Sequence, residues 1–257
     1  MRRFLVAAAL LASVTQAAAQ DGPLSERRSG YEQMGRETRA MQDDDTANPA
    51  MLWVLEGEGL WKLKTGAAER ACSDCHGDAG ISMKGVAARY PAPDAISGRL
   101  MNLEQRINAC RVEKQKGKSL AYESRELLAL ASYVGRQSRG VPIAVPVDVL
   151  TRTALESGRA LYNRKIGQID LSCAQCHDQN AGRHLAGNAI PQAHPTGYPI
   201  YRLEWQGVGS LQRRLRNCMS GMRAEAYEYG APELVELEYY LMWRARGMKV
   251  ETPAVRP

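Results

Sequence analysis

Apolar residues recur along much of the chain at helical spacing. Leu100, Leu103, Ile107 and Cys110 fall at i, i+3, i+7 and i+10, one face of a helix. Residues 126–134 give a further helix with Leu127, Leu130 and Val134 inward, and Leu52, Leu55 and Leu60 lead up to Trp61. Residues 20–50 differ: they are polar, carry Asp43-Asp44-Asp45 and Asn48-Pro49, and show helical spacing without a strong core face. They read as an N-terminal extension packing on the first domain or on a partner. Residues 140–147 open with Gly-Val-Pro-Ile-Ala-Val-Pro, whose two prolines block a helix and favour an extended linker. That linker divides a first domain, residues 51–139, from a second, residues 148–257.

The second domain repeats the first. Gly57-Glu58-Gly59-Leu60-Trp61 begins fifteen residues before Cys72, and Gly158-Arg159-Ala160-Leu161-Tyr162 begins fifteen before Cys173. Lys64 and Gly66 match Lys165 and Gly167. The run from Leu103 to Cys110 matches that from Leu211 to Cys218, and Glu126-Leu127 and Leu130 match Glu233-Leu234 and Leu237. The offset changes from 101 to 108, so the second domain carries a longer loop. Each domain is then a helix before a motif, a helix ending at a lone cysteine, and a terminal helix.

The repeated motif is Cys72-Ser73-Asp74-Cys75-His76 and Cys173-Ala174-Gln175-Cys176-His177. Cys-x-x-Cys-His is the attachment signature of c-type haem. Its two thiols form thioethers with the haem vinyl groups, and the histidine becomes the proximal iron ligand. A redox Cys-x-x-Cys sits by a βαβ pattern, and none is seen here. The prediction is a mainly α chain of two tandem cytochrome c-like haem domains joined by a Pro-containing linker, with two covalently bound haems c. Hydrophobic residues at 44% and aromatics at 6% are thin for two cores of this size, and haem supplies the missing apolar bulk.

Charge and targeting narrow the setting. The net charge is +6, with Lys and Arg spread rather than blocked and no nucleic-acid motif, which fits an acidic protein partner or an anionic substrate better than nucleic acid. Arg2, Arg3, the apolar run 4–14 and Ala17-Ala18-Ala19 have the order of a signal peptide over residues 1–19. The apolar run is too short to span a bilayer comfortably. The expectation is an exported periplasmic protein that does not cross the membrane.

The distal iron ligands are less determined. Only four histidines occur, and His184 and His194 both lie in the second half, on a polar loop that reads as surface although either is a possible ligand. In the first domain the candidates are Met83, Met101 and Cys110. Methionine is the usual distal ligand of small cytochromes c, but neither methionine has a counterpart in the second domain, whereas Cys110 and Cys218 correspond. Thiolate ligation of both irons is the favoured reading; a Cys110–Cys218 disulfide and buried structural thiols are the alternatives. Met219 and Met222 read as core or haem-edge contacts. Arg214, one helical turn before Cys218, suits an anionic substrate; a haem propionate is the alternative, since Arg106 takes the same place in the first domain. Arg216, Arg223, Arg244, Arg246 and Lys249 read by default as solvated surface, with an added positive field near the site as the alternative.

Two Cys-x-x-Cys-His domains with a later cysteine in each, and Arg214-Leu215-Arg216-Asn217-Cys218, resemble the A subunits of the SoxAX cytochromes of bacterial thiosulfate oxidation. The resemblance implies that Cys72, Cys75 and His76 bind the first haem with Cys110 distal, and Cys173, Cys176 and His177 the second with Cys218 distal. It further implies that Cys218 is a catalytic persulfide and that Arg214 binds substrate. The implied partners are a monohaem SoxX-like subunit and a SoxYZ-like carrier protein whose cysteine is oxidatively coupled to thiosulfate. The competing functions are a dihaem electron carrier that binds no substrate and a dihaem thiosulfate dehydrogenase forming tetrathionate.

Overall fold

Two helix pairs of the same construction organise the chain. The computed structural model describes residues 23–257, so the signal-peptide reading lies outside the described residues. The helices are α1 (Arg36–Asp43), α2 (Met51–Lys62), α3 (Ser73–His76), α4 (Ala79–Ser82), α5 (Leu103–Glu113), α6 (Arg125–Arg136), α7 (Val149–Asn163), α8 (Cys173–His177), α9 (Leu211–Gly221) and α10 (Pro232–Arg244). In the first half α2 crosses α6, and in the second α7 crosses α10. Each crossing is made at a glycine. A Cβ on Gly57 would stand 2.1 Å from the Ala129 carbonyl oxygen, and one on Gly158 would stand 2.1 Å from that of Glu236. The expected inward residues of α6 are buried: Leu127, Leu130 and Val134 keep at most 3% of their surface.

Short strands complete the mainly α fold. β1 (Ala92–Pro93) pairs with β2 (Leu100–Met101), and β3 (His184–Leu185) with β4 (Asn188–Ala189). β5 (Ile200–Arg202) pairs antiparallel with β6 (Gly207–Gly209) and parallel with β7 (Ala254–Arg256). Leu100 therefore precedes the helix it was expected to share, because Asn102 caps α5 through a reciprocal box with Gln105. Ser210 caps α9 at the equivalent place. Both lone cysteines lie inside these helices rather than at their ends.

The linker is extended, as its prolines require, but it is not free. Residues 140–143 hydrogen-bond in alternation with residues 247–250, and Ile143 keeps 2% of its surface. The N-terminal extension corrects its expectation too, since it grips the second half as well as the first. Asn48 donates to the Pro253 carbonyl, Arg28 N to Gln192, and the Gln42 side chain accepts from Val255 N, while Asp45 pairs with Arg136 at the end of α6 and with Arg139 just beyond it. Between the halves, Tyr122 stacks on Tyr229 with ring centroids 5.6 Å apart. Gln105 donates to the Gly230 carbonyl and Arg213 lies 3.8 Å from Glu123. Tyr122 and Tyr229 are equivalent in the repeat, and the other two contacts are counterparts of each other, Gln105 matching Arg213 and Gly230 matching Glu123.

Candidate functional site

Each Cys-x-x-Cys-His run forms a short helix at the mouth of a cavity. In the second half Ser172 and Gln175 cap α8 reciprocally, which fixes the turn that carries Cys173, Cys176 and His177. His177 Nδ1 donates to the Pro191 carbonyl at 2.6 Å, leaving Nε2 to face a metal, and burial lowers its pKa toward the neutral, ligating form. In the first half Cys72 opens α3, His76 stands 5.6 Å from the Trp61 ring, and Trp61 Nε1 donates to the Gly77 carbonyl. Tyr162 replaces Trp61 in the second half and donates to Asp178, which also holds Arg244 at 2.6 Å. Arg244 is therefore buried with a carboxylate rather than solvated as expected.

The first cavity, about 560 Å³, brings together Cys72, Cys75, His76 and Cys110, with Met83 in its wall. Met101 does not line it; it pairs with Ala92 in the β1–β2 ladder. The second cavity, about 340 Å³, brings together His177, Arg214 and Cys218. His184 and His194, expected on the surface, stand at its edge, and His194 Nδ1 contacts the Arg28 carbonyl. Cys110 and Cys218 are both free thiols and open into different cavities, so the disulfide is not formed. Met219 and Met222 are buried in the core of the second half, as expected.

Both cavities fit haem. They fall in the range of about 300–1,000 Å³ typical of small-molecule sites. Leu103, Ile107, Leu130 and Val134 give the first an apolar wall, and Ile200, Leu211, Leu215 and Leu241 do so for the second. The first presents two thiols, an imidazole and the Cys110 sulfur; the second is lined by His177 and Cys218, with Cys173 and Cys176 on the same turn as His177, a donor set suited to c-type haem. Burial raises the pKa of Cys72 and, with the adjacent Cys218 sulfur, pushes the Cys173 thiol up to about 12.

The two cavities differ in charge arrangement. Arg106, in the first, pairs with Asp94 and holds that carboxyl well below the usual range. Arg214, its counterpart, has no ion-pair partner among the described residues. Arg202 lines the same cavity at the end of β5, 8% exposed. Sequence reading passed over Arg202; carrying the 108-residue register upstream of Leu103 would have set it against Asp94.

The comparisons agree with this geometry. The family model described as SoxA/TsdA, cytochrome c domain, matches residues 56–143 and 157–250. The L-cysteine S-thiosulfotransferase subunit SoxA of Pseudaminobacter salicylatoxidans is 39% identical over 95% of this chain and 86% of its own length. That of Rhodovulum sulfidophilum is 34% identical over 90% and 80%. The crystal structure of SoxXA from P. pantotrophus superposes with a TM-score of 0.87 at 32% identity, covering 90% of this chain and 87% of that one. With two matched domains, both built around a haem-attachment turn, the chain belongs to the SoxA/TsdA cytochrome c family, among the SoxA subunits, and binds haem c.

Proposed function

We infer that this chain is the dihaem subunit of an L-cysteine S-thiosulfotransferase, and that the second cavity is its active site. The observation that carries the reading is the meeting of Cys218, Arg214 and His177 in one cavity beside the second haem-attachment turn. Cys72 and Cys75, and Cys173 and Cys176, would hold two haems covalently, and His76 with Cys110, and His177 with Cys218, would ligate their irons. The reaction joins thiosulfate to the thiol of a carrier cysteine as a thiosulfonate, forming one S–S bond and releasing one proton and two electrons. Haem held in the two cavities would supply one-electron acceptance for this oxidation. The chain's own residues do the rest. Arg214 presents fixed donors to the sulfonate oxygens. Cys218, as a persulfide, offers a sulfur for exchange with the carrier.

The partners are a SoxX-like monohaem subunit and a SoxYZ-like carrier, and the setting is the periplasm, where c-type haem is attached. Among the described residues no helix is long and apolar enough to cross a membrane. The test is to add thiosulfate to the complex with and without carrier. Haem reduction that requires both supports the transferase. Reduction by thiosulfate alone, with tetrathionate as product, supports the dehydrogenase; no reduction in either case leaves an electron carrier.

A further inference from the structure

The register of 108 residues runs without a gap from Tyr90-Pro91, matched to Tyr198-Pro199, as far as Cys110 and Cys218. The ladders obey it. Ala92 pairs with Met101 as Ile200 pairs with Gly209, and Pro93 with Leu100 as Tyr201 with Val208. Asp94, one residue past β1, and Arg202, the last residue of β5, therefore occupy equivalent positions in the repeat. In the first half that position holds the carboxylate that neutralises Arg106. In the second it holds a guanidinium beside Arg214.

This exchange converts a closed ion pair into a pair of like charges. Arg202 is 8% exposed, its Nε has no hydrogen-bond partner among the described residues, and it forms an ion pair at 3.2 Å with Glu204, whose side chain is 45% exposed. Burial and the nearby Arg214 both lower its pKa. No Asp or Glu among the described residues lines the cavity. The buried Arg202 and the half-buried Arg214, facing one space, repel each other, and an anion between them relieves that repulsion. We propose that Arg202 is a second substrate-binding residue, which with Arg214 holds the thiosulfate dianion between two guanidiniums beside Cys218. The proposal rests on the second cavity being the thiosulfate site. It also marks where the two cavities differ: Arg106 of the first is tied to Asp94, whereas Arg214 of the second has a further guanidinium, Arg202, at the place of that carboxylate.

The test uses the haem-loaded complex with its carrier. Arg202→Ala should raise KM for thiosulfate about tenfold to a hundredfold, the scale of one charge-assisted hydrogen-bonded contact. Arg202→Lys should recover part of the loss. Arg202→Asp recreates the arrangement of the first half, so it should fold, neutralise Arg214 and lose thiosulfate turnover at least as fully as Arg214→Ala. Haem content by intact mass and the midpoint potential of the second haem should stay close to wild type in Arg202→Ala. A potential shifted along with activity, at unchanged KM, would assign Arg202 to a haem propionate and overturn the proposal, as would an unchanged KM with no other effect. If the wild-type complex itself forms no carrier adduct, the transferase reading fails first, and Arg202 is then judged by thiosulfate binding alone, where loss of affinity in Arg202→Ala still supports it.

Discussion

Arg106 and Arg214 share one place in the repeat and meet different neighbours, and function divides at that scale. Arg106 is tied to Asp94, whereas Arg214 keeps its charge for the cavity. Replacing Arg214 by Ala should cut turnover with thiosulfate by on the order of a hundredfold, about 2.7 kcal/mol, while haem content and exchange with small redox mediators stay nearly intact. Lys should rescue only part, because it keeps the charge without the planar fork. At Cys110 the prediction is spectroscopic. Cys110→Met should change the low-spin electron paramagnetic resonance of one haem and raise its potential, since a thiolate donates more charge to iron than a thioether; an unaltered spectrum would remove Cys110 from the ligand set. Cys110, Cys218 and Arg214 were legible in the sequence because the repeat aligns them. Arg202 was not read out, because a position that changes from acid to base between the halves shows no likeness of its own and emerges only when the register is carried upstream of Leu103. Arg244 misled for the reverse reason: its partner, Asp178, lies 66 residues away in sequence and meets it only in the fold.

Helix crossings fix where the cavities open, and each depends on a glycine. Gly57 and Gly59 lie in the same helix with opposite surroundings. A Cβ at Gly57 strikes the α6 backbone, while one at Gly59 meets nothing within 4 Å. Gly57→Ala should therefore destabilise the protein by about 1–3 kcal/mol as the helices are forced apart. Gly59→Ala should be neutral or stabilise by up to about 1 kcal/mol through helix propensity. Thermal unfolding of the two variants settles the comparison, and equal effects would show that the crossing does not need the glycine. Helix existence was plain from the spacing of Leu103, Ile107 and Cys110. The strands β5, β6 and β7 were not, because three-residue strands carry too few positions for an alternation to register, and β7 pairs with β5 across some fifty residues.

The whole molecule is one packed body in which the linker and the N-terminal extension bind the halves together, and its interface contains a cost. Glu104 and Glu238 share a small cavity between the two larger ones, with no Lys, Arg or His lining it among the described residues. Burial and their mutual repulsion hold Glu238 well above the usual carboxylate range; burial, with the nearby Glu123 adding, brings Glu104 up to about 7. An acid whose folded pKa is raised keeps its proton longer in the native state. Its favourable protonated state is fully present below about pH 4.5, and stability falls as pH rises from there through about 7. The Glu238→Gln variant should lose less stability than wild type between pH 5 and 8, by at most about 1.4 kcal/mol per pH unit for each group relieved. Denaturant titrations with parallel pH profiles would show that the pair is not protonated in the native state. The sequence displayed two domains but not this shared interior, since the residues that build it stand over a hundred positions apart. The central claim is that these two domains form an enzyme around Cys218, and product mass on the carrier tests it most directly. With thiosulfate and an electron acceptor present, the wild-type complex should add one thiosulfonate to the carrier cysteine for every two electrons delivered, and Cys218→Met, still haem-loaded, should add almost none. Equal adduct from both proteins, or tetrathionate with an unmodified carrier, would contradict the account.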